Sequence, residues 1–203
     1  MHWIFKQVIP QETLQYLQEY TLEVKALIEQ HAGQAKANGS GTYWKGLDMA
    51  SQLPLATQAQ NERLYSVMTS DWMYSLVKQY LDKPYLFNDQ IVVKMPQEEF
   101  NFQPHRDNQF GPLPDDTTLS TFNFMLIRDD FTPQNGAIQV MESNTWYTLY
   151  PKAGDILMIE GNTLHASGPN RSDQPRRVYL CHYTDRPLGE GFQQGYYSTP
   201  FTR

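Results

Sequence analysis

The chain has 203 residues, of which 40% are apolar and 19% are charged, and its 16 Lys and Arg against 22 Asp and Glu give a net charge of −6. This length fits one domain with a substantial core. The 13 Tyr, 10 Phe and 4 Trp exclude a disordered chain and favour a globular one that contains a sheet. The acidic balance argues against nucleic acid or an anionic membrane surface as the main partner.

The cellular setting is indicated by cysteine usage and hydropathy. A single cysteine, Cys181, excludes an internal disulfide framework and is consistent with a reducing compartment. No cationic stretch followed by a sustained apolar run opens the sequence, and no run of about 18 apolar residues occurs in it. We therefore expect a soluble, cytoplasmic protein, monomeric or homodimeric, that acts on a small molecule and binds neither membrane nor nucleic acid.

The N-terminal part of the chain predicts helices. A short strand is expected at residues 3–9. Apolar residues at three- and four-residue spacing then predict a helix from Gln11 to about Gln30. A second helix is predicted from about Gln60 to Leu81, and Asp82-Lys-Pro84 ends it because the residue before a proline is pushed out of the helical region.

Beyond residue 85 the pattern changes to short extended segments separated by Pro, Gly and Asn turns. Strands are predicted at residues 91–94, 119–127, 137–141, 146–150, 155–159 and 177–183. Helices followed by strands predict an α+β, mainly β fold, in which N-terminal helices buttress a sandwich or barrel with the site at its mouth. Residues 186–203 lack periodicity and are compatible with a surface strap, a lid or a dimer contact.

Two residues with metal-binding side chains share one predicted strand face. His105 and Asp107 are two residues apart, so on an extended strand both side chains point to the same side. His165 follows a predicted strand and turn, which can bring it beside the earlier pair in a closed sheet. Two imidazoles and one carboxylate form the facial donor set of non-haem Fe(II), which leaves coordination positions free.

The remaining histidines are weaker candidates. His2 is terminal, and His31 is at the predicted end of the first helix, where a cation suits the carbonyl end. His182 adjoins Cys181, but adjacent strand residues face opposite sides, which excludes a ligand pair or a nucleophile–base pair. We expect His182 to be a core residue or a neighbour of the site.

A possible anion anchor follows the second candidate histidine. Arg176 and Arg177 lie at the start of a predicted strand, 11 and 12 residues after His165. A guanidinium buried there requires an anionic partner, and a dicarboxylate cosubstrate held by a bidentate pair would be one. Strand alternation indicates that only one of the two arginines faces inward, and it leaves open which one.

The order and spacing of several motifs between about Ile91 and Asp185 resemble the phytanoyl-CoA dioxygenase family, within the Fe(II)/2-oxoglutarate oxygenases. The carriers are Val93-Lys94, His105-Arg-Asp107, Pro133-Gln-Asn-Gly136-Ala, Ala153-Gly-Asp155 and His165-Ala-Ser-Gly-Pro-Asn170-Arg-Ser-Asp-Gln-Pro-Arg176. The resemblance implies a double-stranded β-helix (jelly-roll) core. It also implies one oxygenase domain over residues 1–203, with helical support at about 11–82, the core at about 85–185 and a tail at 186–203.

The resemblance also implies roles for individual residues. His105, Asp107 and His165 would be the iron ligands, Arg176 would bind the far carboxylate of 2-oxoglutarate, and Ser167 would add a hydroxyl. The implied cofactors are Fe(II), 2-oxoglutarate and O2, and the implied products are succinate, CO2 and an oxidised substrate. Related halogenases have a small residue in place of Asp107, so its presence favours hydroxylation of an aliphatic C–H bond.

The substrate side of the predicted site is less specific. Met141-Glu-Ser-Asn-Thr145 replaces a Pro-Gly-Ser-His turn that is frequent in the family, and an acyl-CoA substrate is not implied. The same cofactors could serve desaturation, cyclisation or epimerisation, and a jelly roll that binds a ligand without turnover is an alternative of another class. Candidate substrate residues, each also explicable by packing, are Tyr43, Trp44, Asn88, Gln90, Asn123 and Trp146.

Overall fold

A computed structural model of the chain describes residues 1–30, 43–45, 66–94, 96–97, 99, 101–109, 119–187 and 199–201. The helices are α1 (Gln11–Gln30) and α2 (Asp71–Val77). The strands are β1 (His2–Phe5), β2 (Tyr43–Lys45), β3 (Tyr85–Lys94), β4 (Phe102–His105), β5 (Thr121–Ile127), β6 (Ile138–Glu142), β7 (Thr145–Thr148), β8 (Ile156–Glu160), β9 (His165–Ser167), β10 (Arg176–Thr184) and β11 (Thr199–Pro200).

The strands form two antiparallel sheets. The large sheet has the order β1-β8-β5-β10-β3-β11, with β2 also paired to β3, and the small sheet has the order β4-β9-β6-β7. Helices on one side of a mainly β structure and two facing sheets are the jelly-roll architecture that the sequence predicted. No helix in the described part of the chain is long and apolar enough to cross a membrane.

The large sheet is apolar on both faces, because each face covers a separate core. In β10, Tyr179 and Cys181 pack in the cluster that includes residues of α1 and α2, whereas Val178 and Leu180 pack in the cluster between the two sheets. All seven residues of β5 are buried, which confirms the predicted strand with two apolar faces. The interior between the sheets is where the predicted site residues of β4, β9 and β10 meet.

The second helix was predicted as one continuous helix from about Gln60 to Leu81, and its continuity is wrong. Residues 66–68 are helical, but the chain then turns, and a new helix, α2, begins after Ser70. The Ser70 hydroxyl accepts a hydrogen bond from Met73 N and donates one to Val67 O, so this serine caps the new helix and ends the previous one. Apolar spacing continues across the break, and it therefore predicted one helix.

The predicted first strand is shorter than expected, because the chain turns after Phe5. Gln7 has a φ of 51°, and its backbone N–H donates to Asp155 Oδ1 at 3.0 Å. The Asp155 carboxylate also accepts hydrogen bonds from Lys152 N at 2.9 Å and Lys6 Nζ at 3.2 Å. The Ala-Gly-Asp motif thus fixes the turn that follows β1 and lies outside the site.

The segment that replaces the family's Pro-Gly-Ser-His turn forms the turn of the β6–β7 hairpin. Ser143 and Asn144 have φ values of 47° and 61°, and Glu142 pairs with Thr145. Two consecutive residues at positive φ between paired strands are typical of a type I′ turn. The end of the tail is also tied to the fold, since Phe201 is buried in a stack with Tyr183.

A candidate iron centre between the two sheets

The candidate metal site lies where one row of residues from each sheet meets. In the small sheet, His105 pairs with His165, and His165 pairs in turn with Val140. In the large sheet, Asn123 pairs with His182. Asp107 begins a short 3-10 turn directly after β4.

Three side chains converge as the sequence predicted. One ligand atom from each of His105, Asp107 and His165 lies within 4.8 Å of the others. Asp107 Oδ1 is 3.9 Å from His105 Nε2 and 3.6 Å from His165 Nε2. His165 is buried, and the other two are partly buried.

The orientation of both imidazoles is set by the backbone. His105 Nδ1 is 2.7 Å from Gln103 O, and His165 Nδ1 is 2.9 Å from Thr163 O. A carbonyl oxygen can only accept a hydrogen bond, so each Nδ1 carries the proton and each Nε2 presents a lone pair. Burial lowers the pKa of His105, and a charge on His165 lowers it further, against the opposing effects of the Gln103 carbonyl and Asp107.

The segment that carries Asp107 is clamped to the turn after β8. Arg106 Nε donates to Asn162 O at 3.0 Å, and Asn108 N donates to Gly161 O at 3.3 Å. The Thr121 hydroxyl donates to Asn108 Oδ1. A Cβ on Gly161 would lie 1.8 Å from Thr121 Oγ1 and 2.2 Å from Asn108 Oδ1, so only glycine permits this approach.

The second oxygen of Asp107 is held by the large sheet. Asn123 Nδ2 donates to Asp107 Oδ2 at 3.1 Å, and His182 Nε2 is 3.9 Å from the same oxygen. Asn123 was predicted on the substrate side, but its amide contacts a candidate metal ligand. Cys181 packs in the cluster on the helix side of β10, which agrees with the exclusion of a Cys181–His182 pair.

The two neighbouring arginines have different partners. Arg177 forms a bidentate pair with Asp129, with Nε and Nη2 each 2.7 Å from a carboxylate oxygen, and its backbone N–H donates to the same side chain. Arg176 is 3% exposed and stacks on the Phe131 ring at 4.4 Å, and its Nε has no hydrogen-bond partner among the described residues. Burial lowers the pKa of Arg176 to about 10, against the opposing effect of Asp129. Of the two arginines, Arg176 is therefore the buried one, and no described carboxylate lies within ion-pair distance of it.

A second buried cation lies beside Arg176. Lys94 pairs with Arg176 across β3 and β10, is fully buried, and donates to the Ser167 and Gly168 carbonyls. Its ammonium also lies 5.3 Å from the centre of the Phe102 ring. In the sequence, Lys94 was noted only as part of a family motif. The signal that could have found it is a lysine directly after the apolar, β-branched run Ile91-Val92-Val93.

The other predicted substrate residues have less direct relations to the site. Tyr43 and Trp44 pair with β3 opposite Val92 and Ile91, and Asn88 and Gln90 pair with β10 opposite His182 and Leu180. Asn88 thus stands in the row of His182 and Asn123. The roles of these four residues stay predictions.

Trp146 was predicted on the substrate side, and the structure places it in β7 opposite Met141 of β6. Val140 pairs with both His165 and Tyr147, so Tyr147 belongs to the row that carries the imidazoles. Strand alternation turns Trp146, the neighbour of Tyr147, to the opposite face, and both side chains are exposed, at 38% and 49%. Tyr147 is therefore the aromatic residue of β7 in the row of the imidazoles, and a substrate contact by Trp146 stays a prediction.

Comparison with known proteins assigns the family. A family model described as phytanoyl-CoA dioxygenase matches residues 6–148 and 141–178. The chain belongs to the phytanoyl-CoA dioxygenase family. Dioxygenase andF of Emericella variicolor is 27% identical over 144 residues, which are 58% of this chain and 50% of that protein. The chain thus spans about half the length of this curated relative.

Solved structures similar to this family member share its fold. The non-heme alpha-ketoglutarate-dependent carbocyclase SnoK from nogalamycin biosynthesis has a TM-score of 0.67 at 14% identity, covering 91% of this chain and 79% of its own. The epimerase SnoN of the same biosynthesis has a TM-score of 0.64 at 16% identity, covering 100% and 90%. These likenesses confirm the jelly-roll fold.

Proposed function

We propose that this member of the phytanoyl-CoA dioxygenase family is an Fe(II)- and 2-oxoglutarate-dependent dioxygenase that hydroxylates an aliphatic C–H bond of a small organic molecule. The observation that carries the proposal is the convergence of His105, Asp107 and His165 within 4.8 Å, in a fold that also buries Arg176 with no carboxylate within ion-pair distance among the described residues. The proposed metal ligands and the proposed cosubstrate anchor thus both lie in the interior.

The donor set fits Fe(II). Two neutral imidazoles with free Nε2 lone pairs and one carboxylate form the facial triad that holds this metal and leaves coordination positions open. Gln103 O and Thr163 O fix the tautomers of the two imidazoles, so the site needs no change of protonation to bind a cation. His105, Asp107 and His165 would hold the metal.

The interior also fits a dicarboxylate. The Arg176 guanidinium, desolvated and stacked on Phe131, would form a charge-assisted pair with the far carboxylate of 2-oxoglutarate. Lys94 beside it adds positive charge, and the Ser167 hydroxyl, in the same buried region, would donate a further hydrogen bond. A guanidinium without a carboxylate is unfavourable in an apolar interior, and an anionic cosubstrate removes that penalty.

When bound, Fe(II), 2-oxoglutarate and O2 supply the oxidising chemistry, in which one oxygen atom enters succinate, the other enters the substrate, and CO2 is released. The residues of this chain orient the cosubstrate and the metal, and they exclude water. Arg176 fixes the depth of the cosubstrate, the two imidazoles and Asp107 fix the metal, and the apolar cluster between the sheets keeps water away.

A small organic substrate is supported by the relatives. SnoN has been solved in complex with Fe3+, alpha-ketoglutarate and nogalamycin RO. SnoK is a carbocyclase and SnoN an epimerase, so one fold carries different oxidative outcomes. Asp107 disfavours halogenation, so hydroxylation is the outcome proposed here. Cyclisation, desaturation or epimerisation is the alternative, which product mass distinguishes: a gain of one oxygen atom against a loss of two hydrogens or no change.

The test is O2-dependent formation of succinate from 2-oxoglutarate by the purified protein with Fe(II). Under anaerobic conditions, 2-oxoglutarate added to the Fe(II) protein should give a visible charge-transfer band. The same titration of Arg177→Ala should keep the band, and that of Arg176→Ala should need more 2-oxoglutarate to produce it. Absence of the band in the wild-type protein would contradict the proposal and favour a jelly roll that binds its ligand without turnover.

A further inference from the structure

The two oxygens of the Asp107 carboxylate have different neighbours. Oδ1 faces the imidazoles, 3.9 Å from His105 Nε2 and 3.6 Å from His165 Nε2. Oδ2 accepts a hydrogen bond from Asn123 Nδ2 at 3.1 Å and lies 3.9 Å from His182 Nε2. The large sheet therefore holds one oxygen of the carboxylate, and the other is presented to the histidines of the small sheet.

Asn123 occupies a position at which folding alone favours an apolar residue. Its side chain is 1% exposed, and it shares the inner face of β5 with Met125 and Ile127, which pack in the cluster between the sheets. Among the described residues, its side chain makes one hydrogen bond, to Asp107, and its Oδ1 has no partner. A buried amide with an unsatisfied oxygen is less favourable than an apolar side chain of the same size.

The direction of the hydrogen bond is fixed by the chemistry of its acceptor. An ionised carboxylate has no proton to donate, so the amide must turn its Nδ2 toward Asp107 and its oxygen away. The amide then restrains rotation of the carboxylate about the bond that joins it to the Cβ. A rotation that brought Oδ2 toward the imidazoles would break this bond.

We propose that Asn123 is a positioning residue that makes Asp107 a one-oxygen ligand, a role that rests on the proposed function of the site. With Oδ2 held by the amide, only Oδ1 points toward the metal position. The coordination place that a second carboxylate oxygen would take then stays open for 2-oxoglutarate or O2. His182, paired with Asn123 across β10 and β5, lies against the same oxygen.

The test compares two variants with a matched control. Asn123→Leu keeps the number and branching of the side-chain heavy atoms and removes the donor. Asn123→Ala removes the donor and shortens the side chain to its Cβ. Met125→Leu alters the same face of the same strand, two residues away, without touching Asp107. Each protein is prepared without metal, its thermal unfolding midpoint is measured, and it is titrated anaerobically with Fe(II) and separately with Co(II), whose visible spectrum reports the ligand arrangement.

We expect both Asn123 variants to bind Fe(II) about 10- to 100-fold more weakly and to change the Co(II) spectrum. The unfolding midpoint of metal-free Asn123→Leu should equal or exceed that of the wild type, because the unsatisfied amide is gone. Met125→Leu should keep the wild-type affinity and spectrum.

Unchanged Fe(II) affinity and Co(II) spectrum in both Asn123 variants would overturn the positioning role, as would an equal loss of affinity in Met125→Leu. A wild-type protein that binds Fe(II) but gives no charge-transfer band with 2-oxoglutarate would contradict the proposed function instead. The two failures are distinguishable, because metal affinity and the Co(II) spectrum are measured without cosubstrate or turnover.

Discussion

His105 and His165 stand opposite each other in the neighbouring strands β4 and β9, and each imidazole Nδ1 donates to the carbonyl of the residue two positions before it. The same local contact thus fixes both rings in the same tautomer. Because each partner is a backbone group of the ring's own strand or adjoining turn, substitution of a side chain elsewhere leaves both Nε2 atoms available. The two imidazoles are prepared for a metal by local structure.

Removal of a proposed metal ligand should abolish turnover through loss of iron. His105→Ala and Asp107→Ala each leave two of the three donors, which is too few to hold Fe(II) at micromolar concentration. Anaerobic Fe(II) titration followed by measurement of bound metal checks this, with Arg171→Ala as the control, because its side chain is exposed and pairs with the exposed Glu99. Full iron occupancy in Asp107→Ala would show that this carboxylate is no ligand.

Arg176→Ala should chiefly raise the 2-oxoglutarate requirement. Removal of one partner of a buried charge pair costs about 3 kcal/mol, which is roughly 100-fold in the cosubstrate concentration needed. Fe(II) affinity should be retained. The measurement is the 2-oxoglutarate dependence of the charge-transfer band and of succinate formation.

Arg177→Ala is the matched variant and should act on stability. It leaves Asp129 without its bidentate partner, at a cost of about 2 kcal/mol in the free energy of unfolding, whereas the 2-oxoglutarate dependence of the folded protein stays that of the wild type. Urea unfolding measures the free energy of unfolding of Arg176→Ala and Arg177→Ala and so distinguishes the two variants. Exchanged phenotypes would mean that Arg177 faces the cosubstrate.

Gly161→Ala should weaken metal binding at a distance. The added Cβ would overlap Thr121 and Asn108, and displacement of Asn108 moves Asp107, its neighbour in the chain. We expect a loss of about 1–3 kcal/mol in stability and a lower Fe(II) affinity. Gly168→Ala is the control, because a Cβ there meets nothing within 4 Å. Equal behaviour of the two variants would exclude the clamp.

Asp155 should contribute to acid sensitivity. Burial acts to raise the pKa of its carboxyl, but hydrogen bonds from Lys152 N, Gln7 and Lys6 outweigh burial, and the net effect lowers the pKa below its ordinary value. A carboxyl with a lowered folded-state pKa stabilises the fold above the unfolded-state value of about 4, and this contribution is lost as the pH falls through the folded-state pKa.

The corresponding experiment compares wild type and Asp155→Asn by urea unfolding between neutral pH and the acid range. The variant should be less stable by about 1–3 kcal/mol at neutral pH, and the difference should shrink below about pH 4. Asp130→Asn should change less, because its carboxylate, paired with Lys152, is half exposed. A difference that is independent of pH would assign the effect to packing.

The predictable part of the site is the part with local causes. The strand and turn before His165 follow from sequence patterns of a few residues. The expectation that His105 and Asp107 share one strand is wrong, because His105 ends β4 and Asp107 begins a 3-10 turn after it. The resemblance placed Arg176, and the Arg177–Asp129 pair gives the physical reason why Arg176 is the inward residue.

What the sequence could not predict depends on pairing between distant segments. The contact of Asn123 with Asp107 and the pairing of Lys94 with Arg176 require the register of β5, β10 and β3, which no short pattern encodes. Trp146 shows the size of the effect, because a shift of one position moves a side chain to the other face of its sheet. Ser70 shows that a capping serine ends a helix whose apolar spacing continues.

Cys181 is fully buried on the helix side of β10, and its neighbour His182 lies toward the proposed iron. The backbone of a single strand therefore separates the chain's one thiol from the place where an oxidant is proposed to form. A fully buried thiol is out of reach of alkylating reagents. Cys181 can react only when the sheet opens, so its rate of alkylation measures the frequency of sheet opening. Cys181, which has no role in the proposed reaction, thus reports how often the core around it opens.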